Sequence, residues 1–217
     1  MKQQLLFSIF LFALSANLSA QNLFLGVKPG LNWTNIRSNL AGNYITGFTG
    51  GVNLEYLYKE NASVEVDFLF EQRGYSVNTF FTDSNGVIVG NAVPLAENYK
   101  YLSLPIKRGF YFEKTIAGFV KLGLVPAFLL NARTEVAQTD ANGNFTGTQV
   151  ISITTNVKRF DLAGMIEGGG IYYLKDQLGL LLSLSYQHSF TRMPRHTNFE
   201  KRHYGFCLSA GVRIPLK

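Results

Sequence analysis

Ser63-Val64-Glu65-Val66-Asp67-Phe68-Leu69-Phe70-Glu71-Gln72-Arg73 decides the fold. Val64, Val66, Phe68 and Phe70 alternate with Ser63, Glu65, Asp67, Glu71 and Arg73. Residues two apart share one face of a strand, so one face here is apolar and the other carries the charges. A helix would scatter both sets around its axis.

The same period extends outward from this segment in both directions. It predicts eight strands, near residues 23–34, 47–58, 63–73, 99–112, 118–131, 160–173, 178–191 and 204–216. In the first, Leu23, Leu25, Val27, Leu31 and Trp33 oppose Gly26, Lys28, Gly30, Asn32 and Thr34. In the fourth, Leu102, Leu104, Ile106, Phe110 and Phe112 oppose Ser103, Lys107, Gly109 and Tyr111. Arg108 breaks this pattern by falling on the apolar face. Pro105 cannot donate to the ladder, so either a bulge shifts the register there or Arg108 snorkels to an interface.

Short links at 59–61, 113–115 and 175–177 alternate with long ones near 35–46, 75–98, 132–159 and 192–202. Tight turns at one end and long loops at the other describe an all-β, antiparallel, up-and-down transmembrane β-barrel. An even strand count places both termini on the short-turn, periplasmic side.

The composition agrees. Hydrophobic residues make up 47% of the 217 and charged ones 16%, with Gly 21, Phe 18 and Tyr 11. That balance excludes disorder. The single cysteine, Cys207, allows no internal disulfide. The +6 net charge comes without a basic stripe, so no nucleic-acid partner is expected. Met1-Lys2 followed by the apolar run Leu5–Leu14 reads as a secretory signal, cut between Ala20 and Gln21. Residues 1–20 are then a leader and 21–217 the barrel domain. After that cut no apolar run is long enough for a membrane helix.

Alternation alone also fits a soluble, lipocalin-like barrel with the apolar face inside. Three features favour the membrane. The polar face is rich in Gly, Ala and Ser, which suit a narrow interior. Aromatic residues gather at strand ends (Tyr56, Tyr58, Phe110, Phe112, Tyr172, Tyr186, Phe190), as in an interfacial girdle. The polar-face charges nearly balance, with Glu55, Glu65, Asp67, Glu71, Asp161 and Glu167 against Lys28, Arg73, Lys107, Lys121 and Arg213. A closed interior demands such mutual pairing. These eleven residues are the predicted lumen network.

Several segments resemble a known family. Gly26-Val27-Lys28-Pro29-Gly30-Leu31-Asn32 is similar to the opening strand of PorT-like outer-membrane β-barrel proteins of Gram-negative bacteria. Gly47-Phe48-Thr49-Gly50-Gly51-Val52, Phe68-Leu69-Phe70-Glu71-Gln72-Arg73-Gly74 and Tyr101-Leu102-Ser103-Leu104-Pro105 resemble its second, third and fourth strands. Lys107-Arg108 and the ending Ile214-Pro215-Leu216-Lys217 depart from the pattern. The resemblance implies a barrel in the outer membrane; the link of the family's name to protein secretion does not follow from it.

An eight-stranded barrel is filled by its own side chains, so an open porin is not expected. The leading expectation is a structural or interaction protein acting through extracellular loops, in contact with outer-membrane lipid and other envelope proteins. A subunit of secretion or transport is the alternative. A lipid-modifying enzyme or protease is the third. The pair His188-Ser189 is the one suggestive catalytic feature, but adjacent strand residues face opposite ways. No catalytic residue, cofactor or metal is assigned, and no oligomeric state is indicated. His196 and His203, with Arg192, Arg195, Lys201 and Arg202, make the last long loop basic, suited to a solvated surface or to anionic head groups.

Overall fold

The computed structural model describes residues 22–38, 42–82, 86–112, 117–140, 145–174, 178–195 and 200–216. The leader expected at 1–20 and the short turns at 113–115 and 175–177 lie outside them.

One antiparallel sheet contains every strand. In chain order these are β1 (Leu23–Val27), β2 (Gly30–Arg37), β3 (Asn43–Lys59), β4 (Ala62–Thr82), β5 (Ile88–Ser103), β6 (Ile106–Phe112), β7 (Ala117–Thr139), β8 (Phe145–Ser152), β9 (Phe160–Tyr173), β10 (Gly179–Ser189) and β11 (Arg202–Pro215). β11 pairs with both β1 and β2, so the sheet closes on itself.

Among the described residues eleven strands stand where the alternation predicts eight. Two breaks fall at prolines, which lack the N–H a ladder needs. β1 and β2 are separated by Lys28-Pro29 and share the neighbours β3 and β11. β5 and β6 are separated by Leu104-Pro105 and share β4 and β7. β8 is a further strand on the upper half of β7.

The long links are also shorter than expected. Much of 75–98 is strand, because β4 runs to Thr82 and β5 starts at Ile88. Within 132–159, β7 continues to Thr139 and β8 follows. Their Asn, Gly and Thr content suggested loops, but Val77, Phe80, Phe81, Val136, Phe145, Val150 and Ile151 are strand formers.

Pro105 causes no register shift. Leu69 opposite Ser103 and Val66 opposite Ile106 lie on one continuous register. The Pro105 carbonyl even accepts from the Asp67 N–H at 2.9 Å. Arg108 therefore keeps its outward position, with its guanidinium 5.2 Å from the Phe110 ring and 5.9 Å from the Tyr58 ring. A one-residue bulge does occur on β3 between Tyr44 and Thr49. Gly47 lies there, and any Cβ on it would stand 2.3 Å from the Gln72 carbonyl oxygen.

The apolar face looks outward. Val27, Leu31, Phe68, Leu122, Leu124, Leu182 and Leu184 are each about half exposed, while Lys28, Asp67, Lys121 and Ser183 are buried. Inside, apolar side chains gather at the two ends. Tyr111, Phe119, Ile171 and Leu181 form one cluster near the short-turn end. Ile36, Tyr75, Tyr99, Tyr101, Leu129, Val157 and Met193 belong to the other, at the long-loop end.

Candidate functional site

Between those clusters the interior is polar. All eleven predicted charged residues are buried there, none more than 6% exposed. They come from β3, β4, β6, β7, β9 and β11, with Lys28 in the break between β1 and β2. Period two puts each on the inward face, and closure brings distant strands within bonding range.

The lower group is built around two lysines. Lys107 Nζ donates to Glu65 Oε1 at 2.6 Å, Asp67 Oδ2 at 2.7 Å and Glu167 Oε2 at 2.8 Å. Lys121 Nζ donates to Glu55 Oε1 at 3.0 Å and also bonds Glu65. Lys28 bonds Glu167 and lies 3.9 Å from Glu65. Arg213 Nη1 donates to Glu55 Oε2 at 2.5 Å and Arg213 Nη2 to the Tyr173 hydroxyl at 2.9 Å. Four carboxyl groups meet four basic groups here, so the formal charges balance.

The upper group has two carboxylates and one cation. Arg73 Nη1 donates to Asp161 Oδ2 at 2.8 Å, and Arg73 Nε to Glu71 Oε2 at 3.0 Å. Hydroxyls supply what a second cation would. Ser103 Oγ donates to Glu71 Oε2 at 2.7 Å, Ser189 Oγ to Asp161 Oδ2 at 2.7 Å, and Thr191 also donates to Asp161. The Gln187 amide, turned with its oxygen inward, accepts from Arg73 Nη2 at 2.7 Å. The Arg73 guanidinium also lies 4.8 Å from the Tyr101 ring centre.

A cavity of about 40 Å³ adjoins both groups. Asn32 Oδ1, Thr49 Oγ1, Asp67 Oδ1 and both ring nitrogens of His203 border it and have no hydrogen-bond partner among the described residues. Its size suits a few water molecules, which would satisfy those atoms. No cluster of His, Cys, Asp or Glu among the described residues has the geometry to hold a metal ion.

Sequence reasoning misplaced two residues of the last loop. His203 is inside the barrel, 2% exposed, with its ring centre 4.9 Å from that of Tyr99. Lys201 is not a solvated loop residue: its Nζ donates to the Tyr75 hydroxyl at 2.6 Å and lies 3.5 Å from Glu97 Oε1. His203 falls at the start of β11 and Lys201 just before it, both ahead of the range predicted for that strand, so the period assigned them no face. His196 lies outside the described residues. His188 and Ser189 do face opposite ways. Ser189 bonds Asp161 inside, while His188 Nδ1 lies 3.3 Å from the Tyr186 hydroxyl.

A protein-family match agrees with this architecture. The family model for the outer membrane protein beta-barrel domain matches residues 12–194. No curated protein sequence matches the chain. Among solved structures, Neisserial surface protein A is similar at 13% identity and a TM-score of 0.47, over 88% of this chain and 96% of that one. Ail, the attachment invasion locus protein of Yersinia pestis, solved with the heparin analogue sucrose octasulfate, is similar at 13% identity and a TM-score of 0.44, over 89% and 99%. OprG of Pseudomonas aeruginosa is similar at 10% identity and a TM-score of 0.45, over 89% and 97%. With a closed sheet, an apolar exterior and a family match over most of its length, the chain belongs to the outer membrane protein beta-barrel domain family and is an outer-membrane protein of a Gram-negative bacterium.

Proposed function

We propose that this barrel is a closed membrane anchor that presents its long-loop surface to other molecules. In this reading β1 with β2, and β5 with β6, each cross the membrane as one stave, and β8 stands clear of it. Eight staves then cross, after export by a cleaved leader, with both termini periplasmic. The PorT-like group is the branch of the family that its strand motifs favour.

The observation that carries the reading is the cap over the long-loop mouth. The segment after β8 folds back across it, with the Val157–Pro194 bridge and hydrogen bonds from Lys158 N to the Met193 oxygen and from Arg195 N to the Asn156 oxygen. Val157 and Met193 are buried by this cap against Tyr75, Tyr99 and Tyr101. Below it lie the paired charges, whose removal from their partners is costly. Together they favour a closed interior.

Presentation is supported by the two raised hairpins, β4–β5 and β7–β8. Phe80, Ile88, Val136, Phe145, Val150 and Ile151 are exposed there. Phe80 is ten residues past Phe70, the last outward apolar residue of β4 before Gln72. That is about 33 Å along the strand. Apolar side chains exposed beyond the membrane mark contact surfaces.

Planar-bilayer recording tests the closed interior: the pure protein should conduct little, and a large, stable single-channel current would refute it. For presentation, serine at Phe80, Ile88 and Val150 should abolish co-purification of envelope partners while the barrel still inserts. Unchanged co-purification would remove the hairpins from the proposal.

A further inference from the structure

Above the aromatic girdle on one side of the barrel lies a group of cations that the interior does not use. They are Arg37 on β2, Lys158 and Arg159 before β9, Arg192 and Arg195 after β10, and Arg202 on β11. The chain brings them together. Arg37 and Arg202 are register partners on adjacent strands. Lys158 and Arg195 flank the Val157–Pro194 bridge, which fixes the two cap segments side by side. Burial of Val157 and Met193 holds that bridge down, so these cations are carried on an ordered shelf.

The shelf is short of anions. Among the described residues, Glu200 is the one carboxylate in ion-pair range, touching Arg192 and lying 3.8 Å from Arg202. Arg37, Lys158, Arg159 and Arg195 are exposed and have no ion-pair partner among the described residues. The four like charges left unpaired among the described residues of this shelf repel one another unless a counter-charge joins them.

Their height selects the counter-charge. Four of the six lie just above an outward aromatic residue on the same strand or its extension: Arg37 beyond Trp33, Arg159 beside Phe160, Arg192 beyond Phe190 and Arg202 beyond Tyr204, while Lys158 adjoins Arg159 in the chain and Arg195 stands on the segment across the bridge. The largest of these offsets is four residues, about 13 Å along a strand. Tyr and Trp rings mark the head-group level of a bilayer. A cation within about 13 Å above them therefore meets the lipid phosphates, which arginine binds through paired N–H groups. A soluble polyanion would be met higher, at the hairpin ends. There the described residues, including Asp140, offer no comparable basic cluster.

We infer that this shelf is a binding site for phosphate-bearing lipid head groups of the surrounding leaflet, and that Lys158, Arg159 and Arg195 are its principal contacts. The inference takes from the anchor reading only the level of the girdle, and it does not depend on a closed interior.

The test uses the full-length protein in phosphatidylcholine nanodiscs doped with a bis-phosphorylated glucosamine lipid. Native mass spectrometry after release counts the glycolipid molecules retained. Wild type should retain them, and less so in high salt. Each membrane-surface cation contributes about a fivefold preference. The triple variant Lys158→Glu, Arg159→Glu, Arg195→Glu should therefore lose about a hundredfold in retention, and Arg195→Glu alone about fivefold. Lys59→Glu, on the short-turn rim, is the matched charge change and should leave retention intact. Heat-dependent gel migration checks that each variant is folded and inserted, which keeps failure of the anchor reading separate. Equal retention by the triple variant, or equal loss with Lys59→Glu, overturns the site. So does binding of soluble sucrose octasulfate through the same three residues in glycolipid-free discs at the affinity of the lipid, since the ligand would then be a soluble glycan.

Discussion

Lys107 on β6 and Asp67 on β4 are joined at 2.7 Å inside the barrel, and the same ammonium also serves Glu65 and Glu167. Its three donors are all used, and each goes to a buried carboxylate. The formal charges of the lower group balance only while this lysine is present. Removing one partner of a buried pair leaves an uncompensated charge and costs about 3–5 kcal/mol. Lys107→Met should therefore lower stability by at least that much, read from urea unfolding in lipid vesicles. Loss of under about 1 kcal/mol, the range of exposed pairs, would mean the interior is hydrated.

Glu71→Gln should behave oppositely. The upper group has two carboxylates for one arginine, and every contact made by Glu71 uses Oε2. A glutamine whose carbonyl oxygen takes that place keeps the contacts and removes the excess charge. The expected cost is about 1 kcal/mol or less, since neither partner is left unpaired. A loss as large as that of Lys107→Met would show that the excess charge at Glu71 is needed by Arg73.

The face that looks outward is tested at Phe68. It is 52% exposed on the outer surface of β4, one residue from buried Asp67. Phe68→Lys should hinder insertion by about 2–4 kcal/mol, the cost of a lysine at the bilayer midplane. Normal insertion would mean that this face meets water.

Period-two alternation made the inward set legible: a strand has two faces, and one charged residue on a face assigns all its i±2 neighbours. That is why Glu55, Asp161 and Arg213, far apart in sequence, could be grouped before any contact was known. Strand length was not legible in the same way. Beyond the girdle both faces of β4, β5 and β7 carry mixed residues, so 75–98 and 132–159 showed turn chemistry and no period. The lumen-filling role of Tyr75 was hidden for the same reason. Pairing partners were not legible either, because they depend on stagger around a closed sheet. Hydroxyl partners such as Ser103, Ser189 and Thr191 carry no charge signal at all.

Arg108 gives a third contrast. It departs from an otherwise apolar outer face, yet it lies four residues from the end of β6 at Phe112 and over the Phe110 and Tyr58 rings. Such exposed cation–π contacts contribute about 0.5–1 kcal/mol. Arg108→Leu exchanges them for apolar area against lipid, so the net change in unfolding free energy should stay within about 1 kcal/mol. A loss above about 2 kcal/mol would mean that Arg108 holds a partner beyond these rings.

Two adjacent glycines on β9 test the face assignment without introducing charge. Gly169 points inward: a Cβ there would lie 2.4 Å from the Leu182 carbonyl oxygen and 2.7 Å from Phe119 Cζ. The first obstacle is backbone and cannot rotate away. The second is a ring that helps fill the short-turn end of the interior. Gly168 points outward, and a Cβ there would meet nothing nearer than the Phe119 carbonyl oxygen at 3.9 Å. Gly169→Val must push β10 aside or expel Phe119, at about 1–3 kcal/mol for overpacking. Gly168→Val adds a strand-favouring side chain to an apolar surface and removes a flexible residue, a gain of up to about 1 kcal/mol. The two variants have the same composition, so differences in export or chain chemistry cancel. Urea midpoints in vesicles should separate them, with Gly168→Val at or above wild type and Gly169→Val below it. The reverse order would place Gly168 inside the barrel, and with it every even-numbered residue of β9 now assigned to lipid.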